Sequence, residues 1–127
     1  MSANGMEGKT FVSKFIRAIE IAKIDKRRAV THNKGIMNGI DAVILATGND
    51  FRSVEAGIHA YASKNGNYTS LTNAKIENGI FIFSIEIPLA IGTIGGLTGL
   101  HPLVNFGLSL LQKPSAKKLM QIIAVAG

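Results

Sequence analysis

An α+β fold is expected for this chain, with several helices packed on a short antiparallel β-hairpin. Three observations carry that expectation. Apolar residues recur at helical spacing over 9–23, 36–45, 103–111 and 116–126. Two runs rich in β-branched and aromatic residues flank Asn78-Gly79, the dipeptide that most strongly marks a tight hairpin. Breaks built on Gly48-Asn49-Asp50, Lys64-Asn65-Gly66-Asn67 and Lys113-Pro114-Ser115 separate these segments.

Taken in order, residues 1–8 are small and polar and are expected to be a frayed start or a cloning remnant. Over 9–23, Phe11, Val12, Phe15, Ile16, Ile19 and Ala22 share one helical stripe. Asp25-Lys26-Arg27-Arg28 reads as a polar connection. The next helix is expected over 36–45, with apolar residues at 36, 37, 40, 43, 44 and 45, and with Lys34 just before it. Asn38 and Asp41 fall on or beside that stripe, where an unpaired polar group is expensive. Asp50 is placed to cap a following helix whose stripe is Val54, Ile58 and Tyr61. His59 on that helix reads as packed or solvated. Strands are expected over 68–74 and 80–87, the second covered on both faces because it is apolar on both. Glu86 reads as a paired carboxylate near its end, and Pro88 stops it. Glycines 92, 95, 96 and 99 then allow close backbone approach or an anion cradle. Helices over 103–111 and 116–126 follow, the second with Ser115 as N-cap.

Composition limits the function classes. The 127 residues are 46% hydrophobic and 17% charged, with mean hydropathy +0.25, which belongs to a folded chain and not a disordered one. There is no cysteine, which removes disulfides, a thiol nucleophile and thiolate metal sites. His32, His59 and His101 lack metal-ligand spacing. No apolar run reaches membrane-spanning length and no secretory signal opens the chain, so no membrane partner and a cytoplasmic location are expected. Of the net charge of +6, +5 lies up to Lys34, where Lys9, Lys14, Arg17, Lys23, Lys26, Arg27, Arg28 and Lys34 face only Glu7, Glu20 and Asp25. A basic front end suits phosphorylated partners, such as a coenzyme or nucleic acid. Aromatic residues are 6% of the chain, which argues against base stacking and hence against nucleic acid.

The stretch from Thr31 to Asp50, THNKGIMNGIDAVILATGND, sets Lys34, Asn38, Asp41 and Asp50 among glycines and apolar residues. A lysine beside a carboxylate in apolar surroundings is a pair whose charges tune each other. On spacing alone, a capped helix with a surface lysine accounts for the same residues. Together with its continuation FRSVEAGIHAYAS, however, the stretch resembles the catalytic segment of class II 3-hydroxy-3-methylglutaryl-CoA (HMG-CoA) reductases, and the likeness extends more loosely over 12–125. Lys26 and Arg27 depart from the family pattern while Arg28 keeps it, and Leu97, Gly99 and Leu100 depart from it in the glycine-rich loop.

The resemblance implies that 9–127 is part of the large, substrate-binding and dimerising domain. It implies NADPH- or NADH-dependent reduction of HMG-CoA to mevalonate and CoA in two hydride steps. By matching position, Lys34 would stabilise the oxyanion and supply a proton, Asp50 would hydrogen-bond and tune that lysine, and Asn38 would hold the lysine and the substrate oxygen. Arg28, His32 and Asn33 would meet the substrate. Gly92, Gly95, Gly96 and Thr98 would meet the cofactor. The family's catalytic glutamate comes from an earlier segment and its catalytic histidine from a later one, so the chain is expected to be catalytically incomplete by itself, and a homodimer is expected. The competing expectation is a non-catalytic CoA-binding or assembly module that keeps the large-domain core. In that case Lys34 would be dispensable.

Overall fold

The computed structural model describes residues 6–92, 102–112 and 114–127. Among them the element order is α1 (Met6–Ile24), α2 (Lys26–Ala46), α3 (Phe51–Ala62), β1 (Thr72–Glu77), β2 (Ile80–Ile85), α4 (Pro102–Leu110) and α5 (Ala116–Ala126). This is the expected α+β class. The chain divides into two compact units, one of Met1–Asn33 with Ala62–Glu86, the other of Lys34–Tyr61 with Ile87–Gly127.

In the first unit, α1 buries Val12, Ile19 and Ala22 and leaves Phe11 outside. It starts at Met6, inside the stretch expected to fray, with Glu7 in the first turn, where a carboxylate favours the positive helix end. The expected connection at 25–28 is instead the first turn of α2. Asp25 Oδ1 accepts from the N–H groups of Arg27 (2.9 Å) and Arg28 (3.2 Å), which satisfies two donors that a helix start leaves without partners. That cap moves the start of α2 back to Lys26, so Lys34 lies well inside the helix and not before it.

The hairpin pairs Thr72 with Ile85 through Glu77 with Ile80. Asn78 (φ 52°) and Gly79 (φ 74°) both take the left-handed conformation that a two-residue type I′ turn requires. β1 begins at Thr72 and not at 68, because the preceding backbone has partners outside any ladder. Thr69 O and Leu71 N bond the side chain of Asn33, and Thr69 N donates to Ala62 O. Phe15 of α1 meets Phe81 and Phe83 edge-on, with centroids 5.6 and 5.7 Å away. Side chains alternate across a strand, so Ile80 and Ile82 point to the opposite face, where they are 56% and 38% exposed. Among the described residues, the expected cover on both faces of β2 is therefore absent.

In the second unit the buried side chains include Ile36, Met37, Ile40 and Ile44 of α2, Val54 and Ile58 of α3, Val104 and Leu108 of α4, and Leu119 and Ile123 of α5. Gly48 (φ 71°) ends α2, with Asn49 N returning to Ile44 O at 3.0 Å. Asp50 then caps α3, its Oδ1 accepting from Arg52 N (3.0 Å) and Ser53 N (3.3 Å). Ser115 caps α5 as expected, accepting from Lys118 N at 3.2 Å. Two glycines set the helix spacing. A Cβ on Gly39 would stand 1.9 Å from Ala126 O, and one on Gly107 would stand 2.5 Å from Ala46 O, so backbone packs directly on backbone at both places.

Candidate functional site

The expected site residues fall in both units. In the first, His32 is half-buried and its Nε2 lies 2.7 Å from Thr72 Oγ1. Burial, and then the positive charge of Arg28, hold its pKa below the ordinary 6.5, so the neutral ring is favoured. Arg28 is exposed and donates from its guanidinium to Thr31 Oγ1 at 3.1 Å. Asn33 is fully buried. Its Nδ2 donates to Thr69 O (3.0 Å) and its Oδ1 accepts from Leu71 N (3.1 Å), so both ends of the amide tie α2 to the segment that leads into β1. In this geometry Asn33 holds the scaffold, and its amide has no end turned outward.

In the second unit, Lys34 and Asn38 are both exposed and stand one turn apart on α2. Gly35, Ala42 and Leu45 share their exposed side, Leu45 at 57% exposure, and a Cβ on Gly35 would touch nothing within this chain. The Lys34 ammonium lies 3.1 Å from Glu55 Oε1 and 3.9 Å from Asp41 Oδ2. His59 Nε2 lies 3.4 Å from the same Glu55 oxygen, one turn along α3. Asp41 Oδ1 is buried without a hydrogen-bond partner. Burial, then the neighbouring Glu55 charge, raise the pKa of Asp41 against the pull of Lys34. The Lys34 hydrogen bond does most to lower that of Glu55.

Asp50 does not accompany Lys34. Its Oδ1 caps α3 beyond the far end of α2, and Lys34 to Ala46 alone spans about 18 Å at the helical rise of about 1.5 Å per residue, farther than a lysine side chain reaches. The sequence already puts one helix between Lys34 and Asp50, and only the fold decides whether the turn at Asp50 returns to the lysine.

Gly92 is clamped by Asn49. Its N–H donates to Asn49 Oδ1 (2.9 Å) and its carbonyl accepts from Asn49 Nδ2 (3.0 Å). Asn49 also donates to the buried Thr47 hydroxyl at 3.1 Å. The Gly92 amide is thus not open to an anion. Gly95, Gly96 and Thr98 lie outside the described residues. Sequence reasoning missed Asn49 and Glu55. Asn49 read only as part of a helix break. Glu55 carried a usable signal, its i, i+4 spacing to His59 on a helix that turns back along α2. No helix among the described residues is long and apolar enough to cross a membrane.

Comparison with known proteins gives a consistent result. Residues 1–127 match the family described as Hydroxymethylglutaryl-coenzyme A reductase. The chain is 44% identical over 121 residues to the 3-hydroxy-3-methylglutaryl-coenzyme A reductase of Archaeoglobus fulgidus, covering 94% of this chain and 28% of that protein. Its structure is similar to the reductase of Streptococcus pneumoniae, with TM-score 0.92 and 40% identity over 98% of this chain and 30% of the other. The class II reductase from Streptococcus pneumoniae bound to NADPH in open conformations matches with TM-score 0.90 and 42% identity, over 94% of this chain and 30% of the other. The chain thus spans about three-tenths of the length of the relatives it matches.

Proposed function

Because this chain belongs to the hydroxymethylglutaryl-coenzyme A reductase family, we propose that it is the catalytic-lysine segment of a reductase that converts HMG-CoA to mevalonate and CoA with NADPH or NADH. The nicotinamide supplies the hydride. The described residues do not fit a cradle for that cofactor, since the Gly92 N–H is already bonded to Asn49. What the segment contributes is positive charge. Reduction of a thioester would place negative charge on its oxygen, and an ammonium aimed at that oxygen would lower the barrier and could donate the proton. Lys34 fills this role, with Asn38 one turn along the same exposed side as its companion donor and acceptor. Arg28 and His32 are the remaining candidates for substrate contact.

The observation that carries the reading is that Lys34 and Asn38 stand exposed together on one side of α2, while Asp50 lies beyond the far end of that helix. If both residues serve one reaction, they come from different copies. A two-fold pair of chains would bring Lys34 and Asn38 of one copy to Asp50 of the other, twice over. The exposed side of α2 supports this, since Gly35, Ala42 and Leu45 offer small and apolar surface beside the lysine.

The test is HMG-CoA-dependent oxidation of NADPH or NADH by the full-length enzyme carrying this segment, beside Lys34→Ala. Loss of about 10²-fold or more in turnover is expected. Undiminished turnover in the variant would overturn the assignment and favour a non-catalytic CoA-binding or assembly role.

A further inference from the structure

We propose that Glu55 is a positioning residue for Lys34, an α3 carboxylate that fixes the ammonium of the α2 lysine, with His59 behind it and Asp41 beside it. The role of Lys34 rests on the function proposed above; the pairing itself rests on geometry. A lysine has four rotatable bonds and, on an exposed helix side, no single direction. Lys34 is 53% exposed at its side chain, yet its ammonium stands 3.1 Å from Glu55 Oε1. Glu55 is the less exposed partner at 24% and its other contact, His59 Nε2 at 3.4 Å, lies one turn away on its own helix. The same carboxylate oxygen therefore meets His59 from its own helix and Lys34 from α2. Asp41, on the same helix as Lys34, closes the group at 3.9 Å.

The cluster is not a metal site, since among the described residues no three carboxylate or imidazole groups converge as ligands. Nor is it explained as a structural ion pair alone. An exposed pair contributes little stability, and here the pair leaves Asp41 Oδ1 buried without a partner. Its clear geometric effect is to hold Nζ against α3 instead of letting it sweep the solvent. Holding a reacting group within a narrow range of positions is a recognised source of rate.

The experiment uses the full-length enzyme carrying this segment and has two arms. The first measures acylation of each lysine by acetic anhydride, followed by peptide mass spectrometry. Lys34 is expected to react about threefold or more slowly than the exposed Lys26, the size of a half-exposed ion pair. Glu55→Gln should bring Lys34 up to the Lys26 rate, and Glu55→Asp should fall between. An unchanged Lys34 rate in Glu55→Gln overturns the pairing, whether or not the enzyme turns over. Should Glu55→Gln fail to fold, the parent protein decides, because equal rates at Lys34 and Lys26 overturn the proposal.

The second arm is a double-mutant cycle on kcat. Glu55→Gln is expected to lower kcat about tenfold in the parent with a smaller change in KM, and to have no further effect on Lys34→Ala. Additive losses would mean that Glu55 acts independently of Lys34 and would overturn the positioning role. Absence of HMG-CoA turnover in the parent would sink the reductase reading, and the acylation arm would still decide the pairing.

Discussion

His32 and Asn33 are neighbours in sequence with different physical lives. Asn33 is fully buried because every polar atom of its amide has a backbone partner. His32 is half-buried with one hydroxyl partner, and burial and Arg28 together disfavour its charged form. Its folded pKa is depressed, so on acidification the unfolded chain takes up the proton first. The stability linked to His32 is present above the ordinary value of 6.5 and is lost as pH falls below it. Thermal unfolding measured between about pH 7 and pH 5 should show a falling midpoint, and His32→Gln should flatten that slope. An identical slope in the variant would assign the dependence to other groups. The residue type was legible in both cases. What could not be read is that Asn33 faces inward, since that depends on a segment some forty residues later coming back to meet it.

At the scale of elements, periodicity located the helices and the hairpin, and the local rules for caps and turns held at Asp50, Ser115 and Asn78-Gly79. The failure was at Asp25, where a single capping carboxylate lengthened α2 by nearly three turns and carried Lys34 into its interior. Gly39 shows a different limit. Its position on a helix gives no sign in sequence that the Ala126 carbonyl lies against it. Gly39→Ala should therefore lower stability by about 2 kcal/mol or more, although alanine is the better helix former. Denaturant unfolding measures it, with Gly35→Ala as the control, because a Cβ there meets nothing and should be neutral or mildly stabilising.

For the whole molecule, the lysine and the aspartate proposed above for one reaction stand apart, Lys34 within α2 and Asp50 beyond its far end. If two copies complete each other, Lys34→Ala and Asp50→Asn enzymes should be inactive singly and active when mixed. Random exchange makes about half of the dimers mixed, each with one intact site of two, so activity near a quarter of the parent is expected. No recovery on mixing would return both residues to one subunit and require a different arrangement of α2. The uncovered side of β2 bears on another property. Ile80–Ile85 reads Ile-Phe-Ile-Phe-Ser-Ile, six residues without charge, proline or glycine, in a sheet of two strands among the described residues. Such a segment with an unpaired edge is a template for cross-β stacking. As 127 residues, the chain should form fibrils that bind thioflavin. Ile82→Glu, which sets a carboxylate opposite Lys75 in the register, should delay them while the hairpin stays paired. The apolar strand that packs Phe81 and Phe83 on Phe15 is thus also the stretch expected to govern how long the chain stays dispersed.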